Sequence, residues 1–201
     1  MGNILCLMGG SGSGKTVLAK KLEEFDPKKY TRVVEITTRP MREGELDGVD
    51  YHFISDKEYD KRLPDMVESV QRQFLPSRYG AIIDEKEFAD TDKWYILVVS
   101  IEGFLSLINH KGLWSSEVVL VNILVDTDLD VQRENRSPLA EENLNKMVLE
   151  NISEAKFEAD YRYVELPLSE LKSFRNDKEA CLSYFGRYCS SLSDLDLGGL
   201  A

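Results

Sequence analysis

Apolar residues occur in short blocks, and the spacing within each block differs. Residues 3–8 are almost wholly apolar and stop at glycines, which predicts a fully buried strand. Val17, Leu18, Leu22 and Phe25 then recur at helical spacing, so the chain opens as strand, Gly-rich loop, helix. Residues 32–36 read as a second strand, 37–50 as a polar irregular stretch and 51–54 as a short strand. Ser55 and Glu58 form a capping-box pattern that starts a helix, which Pro64 should interrupt. Residues 71–80 read as loop and 81–83 as a small strand. Further strands are predicted over 94–99, 117–125 and, weakly, 163–166; helices over 101–109, about 128–136, 139–161 and 176–189; and a frayed tail from residue 190.

Strands alternating with helices predict an α/β fold, a mainly parallel sheet with helices on both faces. Ligands of such sheets bind beyond the carboxyl ends of the strands, so the loop after the first strand is the first place to look. The 201 residues suit a single domain.

Composition narrows the picture. With 25 Lys+Arg against 36 Asp+Glu, the net charge is −11, which disfavours a nucleic-acid binder or a protein docked on anionic membranes. A phosphorylated ligand would need cations concentrated locally. No apolar run is long enough to span a bilayer and no signal-peptide pattern starts the chain, so a cytoplasmic protein is expected. Cys6, Cys181 and Cys189 are odd in number and lack metal-ligand spacing, which predicts buried reduced thiols.

Gly9-Gly10-Ser11-Gly12-Ser13-Gly14-Lys15-Thr16 fits the phosphate-binding pattern G-x-x-x-x-G-K-[ST]. Glycines let backbone N–H groups wrap a phosphate, Lys15 brings a point charge to the terminal phosphates, and Thr16 offers a hydroxyl to Mg²⁺. The helix that follows turns its N-terminal dipole toward the anion. These eight residues are the candidate ATP site, with Mg²⁺ as cofactor.

The segment from Thr37 to Phe53 carries Arg39 and Arg42 three apart behind two threonines, suited to forking onto one phosphate, although composition alone favours a solvated loop. The order of phosphate-binding loop, T-T-R-x-x-R-x-G-E-x-x-G-x-D-Y-x-F and the later Arg78-Tyr79-Gly80 resembles the guanylate kinases. The resemblance runs to about residue 185, with the first 80 residues matching closely. It implies a three-layer α/β/α core (1–34, 82–130 and 160–190), a small monophosphate-binding insertion (35–81) and a helical lid (131–160), followed by the tail at 191–201. It also implies that Arg39, Arg42, Tyr51 and Tyr79 hold the acceptor phosphate, that Glu45 sits at the transfer site, and that Arg133 and Arg136 close from the lid. Glu68 is the candidate for reading the base, although it lies two residues too far from Tyr79.

The sequence departs from that family pattern in places. Glu35 stands where the family has serine, Ala81 replaces a base-contacting Ser or Thr, and Met147 replaces a lid arginine. The D-x-D ending of one strand reads Val98-Val99-Ser100, and Glu102 just beyond it is a candidate replacement carboxylate. Phosphate-handling residues are thus kept while base recognition is altered.

The implied reaction is transfer of the ATP γ-phosphoryl group to GMP or dGMP. A nucleotide phosphate is largely ionised at neutral pH, so no strong general base is needed, and His52 and His110 are expected to be surface or packing residues. Catalysis would be positioning and charge neutralisation by Lys15, Arg39, Arg42, Arg133 and Arg136, a cluster of cations in an acidic body. The sequence leaves open a modified purine monophosphate or ribose 1,5-bisphosphate as acceptor, a non-catalytic binding module, and a monomer or homodimer.

Overall fold

The first apolar block becomes the centre of the molecule. In the computed structural model, which describes residues 2–10, 13–71, 77–84, 88, 92–110, 116–124, 161–174 and 176–189, strand β1 (Asn3–Gly9) is buried at every position. It runs parallel to β7 (Trp94–Val98) on one side and to β8 (Val118–Leu124) on the other. β2 (Tyr30–Arg32) extends the sheet beyond β7, and β9 (Tyr161–Pro167) extends it beyond β8, both parallel. The order is β2-β7-β1-β8-β9. A strand enclosed on both faces gains by being apolar throughout, which is why these blocks lack alternation.

Side-chain alternation sorts β1 onto two faces. Leu5 and Leu7 pack with Leu18, Ala19 and Leu22 of α1 (Lys15–Phe25) and with residues of α4 (Leu168–Phe174) and α5 (Lys178–Tyr188). Ile4, Cys6 and Met8 pack with Phe104, Leu107 and Ile108 of α3 (Ile101–Ile108). Helices therefore cover both faces, giving the three-layer α/β/α fold. The helix ends are capped by local hydrogen bonds: Ser100 Oγ accepts from Gly103 N–H at 3.2 Å and Asp177 Oδ1 from Ala180 N–H at 2.9 Å. The three cysteines are free and buried, as expected.

A second sheet stands beside the first, in the order β4-β3-β6-β5. Its strands are β3 (Ile36–Thr37), β4 (His52–Phe53), β5 (Glu68–Gln71) and β6 (Arg78–Ala81), with β3 parallel to β4 and antiparallel to β6. The predicted strand over 32–36 is split between the two sheets, because the chain leaves the large sheet after Arg32 and pairs again only at Ile36. The predicted loop over 71–80 contains most of β6, and the strand placed at 81–83 ends at Ala81. Antiparallel pairing across short polar strands overrides their weak local signals. Pro64 does interrupt: α2 (Asp56–Arg62), capped by Ser55, gives way to a 3-10 turn at Leu63–Asp65. Tyr161, expected at the end of a helix, begins β9, and α4 was not foreseen. The predicted helices at 128–136 and 139–161, the lid they would form and the tail lie outside the described residues, apart from Tyr161 itself.

Candidate active site

At the carboxyl end of β1 the chain must turn sharply into α1. Gly9 has φ 147°, and a side chain there would come within 2.8 Å of the Ile123 carbonyl oxygen. Gly14, the N-cap of α1, has φ 92°, which favours glycine. Lys15 folds over this turn and donates from Nζ to the carbonyl oxygens of Gly9 and Gly10, at 2.7 Å each. Ser13 is buried, with Oγ 3.4 Å from Nζ. Ser11 and Gly12 lie outside the described residues.

The mouth of this turn opens into a cavity of about 440 Å³ between the two sheets. Lys15 and Thr16 line it from the large sheet, and Arg39, Arg42, Glu45 and Tyr51 from the loop joining β3 to β4. Glu68 enters from β5, Tyr79 from β6, and Val98, Val99 and Ser100 from the end of β7. Residues far apart in sequence thus meet because two sheets face one gap.

Arg39 is the best-held cation of the site. Its Nη1 and Nη2 fork onto the Glu45 carboxylate at 2.7 and 2.5 Å, and Nη1 also donates to the Pro40 carbonyl at 2.9 Å. The guanidinium lies over the rings of Tyr51 and Phe53, 5.1 and 5.3 Å from their centroids. Glu45 also accepts from the Arg42 backbone N–H at 2.7 Å. Hydrogen bonds from Arg39 and Arg42 hold the Glu45 carboxyl down at about 2. Glu45 therefore serves as the anchor of Arg39. Tyr51 and Tyr79 stand edge to face, 6.0 Å apart.

Glu68 reaches the cavity despite its long spacing from Tyr79. The register pairs Glu68 with Ala81 and Val70 with Tyr79. Glu35, whose destination the sequence did not indicate, accepts at its Oε1 from Val98 N–H at 3.1 Å. Both carboxyls line the cavity and both are buried. Burial first, and then the charge of Glu68, push the Glu35 carboxyl well up; Val98 N–H, Arg32 and Lys15 act the other way. Burial pushes the Glu68 carboxyl up to about 7.

These shifts have a stability consequence. A carboxyl raised on folding stabilises the native state below its unfolded pKa and loses that contribution as pH rises through the folded value. For Glu68 the window runs from about 4.5 to about 7 and involves on the order of 3 kcal/mol. The charged groups around the pair are Lys15 and Arg32, with Cys6 and Tyr59 also sensing Glu68. Thermal melts should show a Glu68 contribution lost as pH rises from about 4.5 to about 7, roughly 5–10 °C in Tm, and Glu68→Gln should flatten it.

Gly103, in the first turn of α3, lies against the Glu68 carboxyl, and a methyl group there would collide with Glu68 Oε1. Gly103→Ala is expected to displace that carboxyl yet lower Tm by only a few degrees, since alanine regains helix propensity of about 1 kcal/mol. Acceptor KM measured beside Tm checks this.

Three expectations change. Glu102 is exposed and lies outside the cavity, so it does not replace the missing strand-end carboxylates. Arg32 lines the cavity and was overlooked; it sits at the end of β2, a position that a cation at a strand's carboxyl end could have flagged. The cleft is also not simply cationic. Lys15, Arg32, Arg39 and Arg42 share it with Glu35, Glu45, Asp50 and Glu68. Asp50 is tied to Lys20 at 2.9 Å. Arg133 and Arg136 lie outside the described residues. His52 and His110 are not in the lining.

Among the described residues no cluster of His, Cys, Asp or Glu could hold a metal ion, and no helix is long and apolar enough to cross a membrane. Comparison with known proteins adds an independent line. A family model described as guanylate kinase matches residues 1–166. The guanylate kinase of Sulfurimonas denitrificans is 29% identical over 195 residues, covering 86% of this chain and 94% of the relative. That of Chlorobium luteolum is 30% identical over 136 residues, covering 67% and 66%. Among solved structures, guanylate kinase from Anaplasma phagocytophilum matches with a TM-score of 0.59 at 20% identity, covering 93% of this chain and 84% of the other, which supports the fold.

Proposed function

The chain belongs to the guanylate kinase family of ATP-dependent phosphotransferases, and from that premise we propose that it transfers the γ-phosphoryl group of ATP to GMP or dGMP, releasing ADP. One observation carries the reading: Lys15 at the phosphate-binding turn and Arg39 with Arg42 on the opposite loop line the same cavity. A donor phosphate and an acceptor phosphate placed against these two walls would meet within the gap.

The acceptor phosphate would take the N–H groups that Arg39 does not spend on Glu45 and Pro40, together with Arg42 and the hydroxyls of Tyr51 and Tyr79. Lys15 would exchange the Gly9 and Gly10 carbonyls for the donor's terminal phosphates. Thr16 would hold Mg²⁺. A P-loop Mg²⁺ is completed by substrate phosphates and water, so it needs no cluster of protein ligands. Bound there, the ion would neutralise charge on the transferring group. Arg133 and Arg136 would add charge from the lid.

ADP formation across GMP, dGMP, AMP, UMP and CMP tests the proposal. GMP or dGMP should be preferred; equal inactivity with all five would remove the nucleotide-kinase reading. The intact phosphate-binding turn supports catalysis over a binding-only module.

A further inference from the structure

The proposed acceptor site contains a residue that the arginine clamp and the phosphate-binding turn do not explain. Glu35 is buried in the cavity wall, and its carboxyl is fastened to the backbone N–H of Val98. That is the strand end where a carboxylate is missing from the sequence, since it reads Val98-Val99-Ser100. Ser100 Oγ accepts from Gly103 N–H and so caps α3, and a serine hydroxyl carries no carboxylate charge. Glu68 faces the same space from the other sheet, 4% exposed, and its Oε2 has no hydrogen-bond partner among the described residues.

Two buried carboxyls need hydrogen-bond partners, and each offers an acceptor oxygen whether or not it is ionised. An acceptor nucleotide would therefore turn its phosphate to Arg39 and Arg42 and its N–H-bearing edge to Glu35 and Glu68. Val70 and Val99 line the cavity beside them and supply apolar surface for a flat ring. A 2-amino-6-oxopurine presents three N–H groups on one edge. Glu68 can take the ring N–H and one amino hydrogen in a fork, which leaves the second amino hydrogen for another acceptor.

We propose that Glu35 is a specificity-determining residue that accepts this second amino hydrogen, supplying from the β2–β3 connection the carboxylate that the end of β7 lacks. The proposal rests on the acceptor reading above. It makes the 2-amino group, rather than the purine ring as such, the feature that this chain selects.

The test compares GMP with IMP, which lacks the 2-amino group, in wild type, Glu35→Ala and Glu35→Gln. Wild type should favour GMP strongly. Glu35→Ala should lower kcat/KM for GMP at least about 10-fold, through KM, while IMP changes less than about 3-fold and the KM for ATP is unchanged. The GMP-to-IMP ratio therefore shrinks. An unchanged ratio in a variant that melts like wild type overturns the proposal. If Glu35→Ala does not fold, Glu35→Gln, which keeps the shape, is judged by the same ratio. Calorimetric titration of GMP and of IMP into each protein without ATP gives that ratio without turnover. A wild-type chain that binds GMP over IMP but forms no ADP would refute the kinase reading and leave Glu35 testable. A chain that binds neither refutes both.

Discussion

Lys15→Ala is expected to lower phosphoryl transfer by about 10³-fold, the effect of removing a preorganised charge from developing anionic oxygens. The reason lies in the turn. Lys15 Nζ reaches back over two backbone carbonyls at 2.7 Å, so the ammonium is held over the mouth of the loop. Arginine is a poor substitute, because the pocket between the Gly9 and Gly10 carbonyls suits a compact ammonium. Steady-state ADP formation together with ATP-analogue binding would separate the parts. Transfer should collapse in Lys15→Ala, with a smaller loss of nucleotide affinity and a Tm within a few degrees of wild type. Full activity in the variant would place the reaction elsewhere.

Arg39→Lys should come next, with kcat/KM for the acceptor down about 10²-fold and the KM for ATP little changed. A lysine can take one of the two bonds to Glu45 but cannot fork, and it loses the flat face that lies over Tyr51 and Phe53. Glu45 would then hold a less defined cation. Glu45→Gln is the informative companion: it keeps Arg39 but weakens its anchor, so it should show a smaller loss on the same parameter. Two variants with equal acceptor kinetics to wild type would refute the clamp.

Legibility from the sequence followed physical type. The enclosed parallel strands were readable because burial on both faces leaves a continuous apolar run, as over Asn3–Gly9 and Trp94–Val98. The sharp turn from β1 into α1 was readable because its backbone conformations restrict residue choice at Gly9 and Gly14. β5 and β6 were not, since Glu-Ser-Val-Gln and Arg-Tyr-Gly-Ala gain their strand character from each other. Arg39 and Arg42 stood out by spacing, but on composition alone they read as a solvated loop, and the acceptor role came only with the family resemblance. The roles of Glu35 and Arg32 did not stand out, because the run Arg-Val-Val-Glu-Ile gives no local sign that the chain changes sheets within it. Where Glu35 points depends on the Val98 N–H of another strand, a fact of tertiary pairing.

The cysteines make the layered core its own reporter. Cys6 belongs to the layer under α3, whereas Cys181 and Cys189 lie in the opposite layer, under α1 and α5. Burial pushes the Cys181 and Cys189 thiols up to about 12 and raises Cys6 as well, so none reacts as a thiolate while its layer is closed. The rate at which an alkylating reagent marks each thiol would therefore clock the opening of one side of the sheet independently of the other.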